Sequence, residues 1–101
     1  MKTKEIKTID INCLEWFDKV NGNSYFAGSV TVNYGMKDQR VINMPLQYGY
    51  GSAYECEAIR VLFNAGLLSS LPSMYELKEM GVIIRSSIAH NCKKRELKMF
   101  E

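Results

Sequence analysis

A run of alternating tyrosines and glycines is the part of the sequence best suited to hold a ligand. It lies directly before an expected helix, where backbone N–H groups and the positive end of the helix dipole favour an anion such as phosphate. The run lacks the Gly-Lys-Ser/Thr of a Walker A loop and the third glycine of a dinucleotide fingerprint. The competing interpretation is a tight strand-to-helix turn whose tyrosines pack on a sheet rather than on a base or a ribose. The site predicted in this tyrosine–glycine loop comprises Gln47, Tyr48, Gly49, Tyr50, Gly51, Ser52 and Tyr54.

Basic residues near the end of the sequence form a second candidate, the basic segment. Lysine and arginine side chains contact phosphates, and such binding weakens steeply as the salt concentration rises. Glu96 and Glu101 dilute the positive charge, so a solvated and solubilising end is the competing interpretation. The residues of this candidate nucleic-acid site are Arg85, Lys93, Lys94, Arg95 and Lys98.

Residues with the chemistry for catalysis or metal binding are sparse. His90 and Cys92 have the i, i+2 spacing of two side chains on one face of a strand, but the sequence has no C-x₂-C pair of the kind that zinc sites use. With a single histidine and no acid–base constellation, an enzyme is disfavoured. We therefore predict no catalytic residues, no metal site and no cofactor.

Two aromatic pairs flank the Asn21-Gly22 dipeptide: Trp16-Phe17 before it and Tyr25-Phe26 after it. Aromatic residues that face each other across a hairpin stabilise it by roughly 0.2–1 kcal/mol a pair, and this structural role is the favoured interpretation. An aromatic sheet face that stacks single-stranded nucleic acid is the alternative.

Length and composition limit the function classes. The 101 residues, 47% apolar and 24% charged, predict one globular domain over residues 1–101. Thirteen Lys and Arg against eleven Asp and Glu give a net charge of +2, too balanced for an obligate DNA binder and of the wrong sign for an acidic DNA mimic. Three widely spaced cysteines indicate a reducing compartment. The sequence shows neither a secretory signal nor a membrane span, so we expect a cytoplasmic protein without a membrane partner.

The first half of the sequence has the patterns of a β-meander. Alternation over residues 9–13 predicts a strand, and the slip of the apolar phase at Leu14 predicts a bulge in its continuation. Asn21-Gly22 is typical of a two-residue type I′ hairpin turn. Return strands are expected over residues 24–34 and 40–44, and Pro45 is expected to end the third strand because it lacks an N–H.

The second half predicts helices and one more strand. A capping box of Ser52 and Glu55 begins a helix that reaches about Ala65 before Gly66, with a buried stripe of Cys56, Ile59, Leu62 and Phe63. A second box, Ser73 with Glu76, begins a short helix, and residues 82–89 alternate as a fourth strand. Residues 91–100 fit a helix or a strand. The predicted fold is α+β: a small antiparallel sheet covered on one face by both helices, with its other face or edge suited to a homo-oligomer.

Three blocks of the sequence resemble a group of small proteins of tailed bacteriophages: residues 16–26 (WFDKVNGNSYF), 45–51 (PLQYGYG) and 91–98 (NCKKRELK). The resemblance carries over no site residues and implies a setting, an early phage protein in the bacterial cytoplasm. Proteins of that kind often neutralise host defence. The leading hypothesis is a non-enzymatic binding protein that sequesters a phosphate-bearing nucleotide signal, or blocks a host defence protein, through the tyrosine–glycine loop. The alternative is a nucleic-acid-binding accessory protein that uses the basic segment.

Overall fold

Four strands, three helices and a 3₁₀ turn of the computed structural model are described over residues 6–68 and 70–101. The elements are β1 (Thr8–Asp18), β2 (Asn23–Val32), β3 (Arg40–Tyr48), α1 (Ala53–Asn64), α2 (Met74–Glu79), β4 (Ile83–Ala89), α3 (Lys94–Leu97) and a 3₁₀ turn (Lys98–Phe100). Residues 1–5 and residue 69 lie outside the described part, and the expectation that the N-terminus holds no secretory signal falls mainly on those first residues.

The four strands form one sheet with the order β3-β2-β1-β4. The α+β prediction is confirmed: β1, β2 and β3 form an antiparallel meander. β4 pairs parallel to β1, which makes the sheet mixed, and the helices form the crossover that a parallel pair requires.

The main core lies between one face of the sheet and α1. Side chains alternate between the two faces of a strand, and Ile9, Ile11 and Cys13 of β1 face this core. From the helix, the buried residues are Tyr54, Ala58, Ile59 and Leu62. Ile59 and Leu62 confirm two positions of the predicted stripe, whereas Cys56 and Phe63 are exposed and were predicted wrongly. The helix is rotated so that the small Ala58 meets the sheet, which allows close approach.

The expected bulge at Leu14 is wrong. β1 pairs with β2 without a shift from Ile9 opposite Val32 to Asp18 opposite Asn23. The apolar phase slips because Leu14 and Trp16 face the second side of the sheet, where the end of the chain packs. The strand is therefore continuous, and the change in the apolar pattern arises because both of its faces are covered near Leu14, one by the main core and the other by the C-terminal helical segment.

The prediction that Pro45 ends β3 is wrong. The strand continues to Tyr48, and a bulge places Pro45 and Leu46 opposite the single residue Ala27. A proline is tolerated there because β3 is an edge strand and a bulge leaves one residue out of the ladder. The extra residue reverses the alternation, so that Tyr48 is directly opposite Tyr25 on the second face.

The hairpin turn between β1 and β2 also differs from the prediction. The loop has four residues, 19–22, and of the Asn21-Gly22 pair only Gly22 has a positive φ, of 71°. The Asp18 carboxylate accepts hydrogen bonds from the N–H groups of Val20 and Asn21, at 3.0 and 3.3 Å. These bonds satisfy the loop amides and favour the longer turn over type I′.

Of the two predicted capping boxes, only the second is confirmed. The Ser73 hydroxyl accepts from the Glu76 N–H at 3.1 Å, and the Glu76 carboxylate accepts from the Ser73 N–H at 3.3 Å. Ser52 makes no side-chain cap, because the Glu55 N–H donates to the Ser52 carbonyl at 3.0 Å. The Glu55 carboxylate, in turn, accepts from the Ser86 hydroxyl at 2.7 Å. A tertiary partner on β4 thus replaces the local bond.

The second face of the sheet is partly covered by α3 and the 3₁₀ turn, which pack against β1, β2 and β3. Leu97 of this C-terminal segment (residues 91–100) is fully buried, and so is Ala27 of β2, which lies opposite Leu14. The segment that the sequence left open is therefore helical over its last part. An oligomer on this face or at the sheet edges stays a prediction. The longest described helix, α1, has 12 residues, and no helix in the described ranges is long and apolar enough to cross a membrane.

Candidate ligand-binding surface

Three aromatic rings on the second face of the sheet and a fourth just beyond the end of β3 form a continuous row. Trp16 of β1 stacks on Tyr25 of β2, with ring centroids 5.3 Å apart and planes at 28°. Tyr25 meets the edge of Tyr48 on β3 at 5.9 Å, and Tyr48 meets Tyr50 at 6.5 Å. The register places the first three rings side by side, because Trp16 is opposite Tyr25 and Tyr25 is opposite Tyr48. We call these four residues the aromatic row.

The row is open to solvent at its tyrosine end. Tyr48 is 60% exposed and Tyr50 is 70% exposed, while Trp16 and Tyr25 are half-buried. The planes of Tyr48 and Tyr50 are at 76°, so the two rings form a corner with accessible ring surface. Exposed rings on a sheet are the element on which nucleic-acid bases stack. The predicted structural role of the hairpin aromatics is confirmed for Trp16 and Tyr25, which stack across the β1–β2 pair, and Phe26 is buried in the core under α1.

Lys94 joins the basic segment to this row. Its Nζ lies 5.4 Å from the centroid of the Trp16 ring, a cation–π distance. α3 presents this lysine, and the buried Leu97 three residues later attaches α3 to the sheet. The tyrosine–glycine loop, the hairpin aromatics and the basic segment are separate in the sequence. The fold brings part of each to one surface.

A crevice of about 440 Å³ adjoins the Trp16 end of the row. It lies between the β1–β2 loop and residues 91–94, which are held beside β1 by a hydrogen bond of 2.9 Å from the Cys92 N–H to the Glu15 carbonyl. Three lysines and one carboxylate, that of Asp18, are the charged groups of its lining. The lining residues are Trp16, Phe17, Asp18, Lys19, Val20, Asn91, Cys92, Lys93 and Lys94.

The Asp18 carboxylate is already engaged by its own loop. The Asn21 side chain donates to it at 2.8 Å, and this bond, with those from the loop amides and the charge of Lys94, holds the pKa of Asp18 below its usual value. The carboxylate is therefore ionised at neutral pH and neutralises only part of the positive charge. The crevice keeps a surplus of two positive charges from Lys19, Lys93 and Lys94 over Asp18.

The tyrosine–glycine loop does not act as one unit. Gly49 is buried, and a Cβ on it would lie 2.6 Å from the Phe26 ring, so this glycine permits close packing under α1. Tyr54 is in the core, and Gln47 hydrogen-bonds to Glu57 of α1. The seven residues of the predicted site therefore do not share one surface, because Gln47, Gly49 and Tyr54 lie towards α1, on the opposite side from Tyr48.

The start of α1 is a poor anion site for a second reason. The Gly49 N–H donates to the Ser24 carbonyl, and the Ala53 N–H donates to the Tyr50 carbonyl. The carboxylate of Glu55 also lies in the first turn, where it already interacts with the helix dipole and repels a second anion. Gly51, with φ of 62°, and Ser52 are exposed turn residues. The favourable place for an anion is the lysine-lined crevice rather than the helix N-terminus.

Arg85 lies apart from the other residues of the basic segment. Its guanidinium forms a two-fold ion pair with Asp10, at 2.6 and 3.0 Å. Asp10 is six residues from Trp16 along β1, roughly 20 Å at the usual rise of a strand. Arg95 and Lys98 are exposed on the C-terminal segment, so Lys93 and Lys94 are the members of this set that line the crevice.

His90 and Cys92 do not form a nucleophile–base pair. The His90 Nδ1 lies 2.8 Å from a carboxylate oxygen of Glu15, and the Cys92 Sγ lies 3.4 Å from the Ala89 carbonyl. Burial raises the pKa of the Cys13 thiol to about 12, which leaves it protonated at neutral pH. Within residues 6–68 and 70–101, no three His, Cys, Asp or Glu side chains are grouped so as to hold a metal ion.

Strand register and long-range packing bring the parts of this candidate site together. The sequence therefore indicated the tyrosine–glycine loop and the basic segment separately, but it did not indicate that Trp16 and Tyr25 lie between them. The signal was present in the aromatic pairs around the hairpin, whose second interpretation was a stacking face. Comparisons of the chain with protein-family models, curated proteins and solved structures found no match.

Proposed function

We propose that the protein is a non-enzymatic binding protein that holds a nucleotide-type ligand by stacking on the aromatic row. The observation that carries the proposal is the row itself, four contiguous rings of which three lie on one sheet face, with Tyr48 and Tyr50 exposed. Covering these solvent-exposed rings with a planar ligand removes apolar surface from water, which favours binding. Base stacking contributes about 1–3 kcal/mol per base at such surfaces.

The charge distribution favours a small ligand over a long nucleic acid. The whole chain has a net charge of +2, whereas polymer binding without sequence preference depends on many phosphate contacts. The positive charge that lies beside the row is local and comes from a few lysines at the Trp16 end. A surface of this kind suits one or two bases with their phosphates.

The resemblance to small phage proteins supports a biological role for such binding. A protein that captures a nucleotide signal prevents its host receptor from being activated, and capture needs affinity and abundance but no chemistry. We therefore propose that the protein acts for a phage and counters host defence by sequestering a nucleotide signal. Blocking of a host defence protein would also use the exposed tyrosines, but it gives no role to the lysine-lined crevice.

The fluorescence of Trp16 can report ligand binding, because Trp16 is the only tryptophan of the chain and belongs to the aromatic row. Titration with ATP, GTP, CTP and UTP is expected to change its fluorescence in a saturable way. Tyr48→Ala and Tyr50→Ala are each expected to weaken binding about 5- to 150-fold, the equivalent of one lost stacking contact. Because both side chains are largely exposed, the fold should tolerate either change.

Tyr34→Ala is the matched control. Tyr34 is 66% exposed but follows β2 at the end opposite to Tyr25, so its loss should leave nucleotide affinity unchanged. If equilibrium dialysis and Trp16 fluorescence detect no binding of any of the four nucleotides, the proposal is wrong. Equal weakening by the Tyr34 and Tyr50 variants would also contradict it.

One observation favours the alternative, a nucleic-acid-binding accessory protein. The row crosses three strands, which is wider than a single base needs. A twenty-nucleotide single strand would then bind far more tightly than a mononucleotide, and its affinity would fall steeply between low and high salt. Reversal of charge at Lys94 and Arg95 would weaken binding to all sequences alike. The absence of a mobility shift at low salt would remove this alternative.

A further inference from the structure

We propose that the lysine-lined crevice is a phosphate-chain subsite, and that the ligand is a nucleoside di- or triphosphate rather than a nucleoside. This inference rests on the proposed function, since it assigns the part of the ligand that does not stack. It concerns the space bounded by residues 16–20 and 91–94, which the tyrosine–glycine loop does not reach.

The size and position of the crevice fit such a group. Its volume of about 440 Å³ is within the ordinary range of small-molecule sites, and Trp16 belongs both to its wall and to the aromatic row. Adjacent strands are about 4.8 Å apart, so Tyr48 on β3 lies about 10 Å across the sheet from Trp16 on β1. A base on Tyr48 and Tyr25 would therefore direct its ribose and phosphates over Trp16 towards the crevice.

The charge of the crevice is only partly neutralised. In the described part of the chain, the ion pairs join Arg60 to Glu57, Arg85 to Asp10 and His90 to Glu15, and none includes a lysine. Asp18 is the one carboxylate of the lining, and it offsets one of the three lysine charges. A polyphosphate would neutralise the remaining two.

The lysines come from two different parts of the chain. Lys19 belongs to the β1–β2 loop, while Lys93 and Lys94 begin the C-terminal segment. The Lys93 N–H caps α3 by donating to the Glu96 carboxylate at 2.9 Å, a main-chain bond that leaves its side chain available. Each wall therefore contributes at least one ammonium group to a multiply charged anion, and the net surplus of two positive charges lies on the wall of residues 91–94, because Asp18 offsets Lys19 on the other.

The experiment compares adenosine, AMP, ADP and ATP by Trp16 fluorescence. Affinity is expected to rise with each phosphate, and tripolyphosphate is expected to displace ATP but not adenosine. Lys19→Gln with Lys93→Gln should weaken ATP binding by about tenfold or more, and leave adenosine binding unchanged. Lys78→Gln, at an exposed lysine of α2, is the matched control and should change neither affinity.

Equal affinities for adenosine and ATP would overturn the subsite while leaving the stacking proposal intact. A double variant that weakens both ligands equally would also overturn it, because the lysines would then support the structure of the row. If ATP binds with full dependence on the lysines but without dependence on Tyr48 and Tyr50, the subsite stands and the stacking proposal fails. No binding of any of these probes would reject both.

Discussion

Replacing Leu97 by alanine is expected to release the C-terminal segment from the sheet and to dismantle the candidate site. Leu97 is fully buried, and truncation of a buried leucine to alanine costs about 2–5 kcal/mol. The segment it anchors has four residues in α3 and three in the 3₁₀ turn. Isolated helices this short are unstable in water, so the helical structure of the segment depends on its packing against the sheet. Losing most of that packing should move Lys94 away from Trp16.

Two measurements check this prediction together. Urea denaturation should show a free energy of unfolding lower by about 2–5 kcal/mol if the segment unfolds with the domain, and by less if it detaches first. Trp16 fluorescence should shift under native conditions, because the ring loses its cation–π partner and gains water. Affinity for ATP should fall as the lysines of the segment leave the crevice.

Met99→Ala is the matched control in the same segment. Met99 is 72% exposed, so its truncation should change stability by less than about 0.5 kcal/mol and leave Trp16 fluorescence unaltered. A Leu97→Ala variant with unchanged fluorescence and unchanged nucleotide affinity would refute the argument that this segment positions the site. An unchanged free energy of unfolding would refute the packing itself.

The remaining predictions concern the scaffold. Gly28→Ala should cost about 3 kcal/mol or more in urea denaturation, because its Cβ would lie 2.2 Å from a backbone oxygen of β1. Cys13→Ala should not rescue it, since two of the three nearest atoms are main-chain, and a rescue would contradict this account. Ser73→Ala should cost about 1 kcal/mol and Ser52→Ala almost nothing, because only the first serine caps a helix; equal costs would be inconsistent with the two N-termini. The exposed Cys56 should be alkylated at pH 8 in the folded protein and Cys13 only after unfolding. Because the folded pKa of Cys13, about 12, exceeds the ordinary value of 9.0, the free energy of unfolding should decrease as pH rises above about 9; early alkylation of Cys13 would show that it is accessible.

Local signals predicted the elements well where the physics is local. The capping box at Ser73 needs only four consecutive residues, and the end of α1 at Gly66 needs one residue able to take a φ of 79°. The same kind of signal failed at Ser52 and Asn21. At Ser52, a distant hydroxyl on β4 offers the Glu55 carboxylate a bond that no local pattern contains. At Asn21, the competing acceptor is the Asp18 carboxylate three residues earlier, which the Asn-Gly signal alone does not take into account.

The burial of individual side chains was predicted less well, because it depends on what covers each face. Cys56 and Phe63 have the spacing of a core stripe, yet the rotation of α1 over the sheet leaves both exposed. Leu14 and Trp16 suggested a bulge only because a second layer, formed by the end of the chain, was not foreseeable from their neighbourhood.

The sequence by itself determined the α+β class, the meander, the start of α2, the end of α1 and the residue types from which a binding surface is made. Periodicity, glycines and caps encode backbone conformation within a few residues wherever no other group offers a competing bond. Only the tertiary structure decided that Tyr48 shares a face with Trp16, since one extra residue at the Pro45 bulge reverses the alternation of β3. It likewise decided that Lys94 lies over Trp16, 78 positions away in the sequence, because strand register and the docking of Leu97 are set by packing between distant segments.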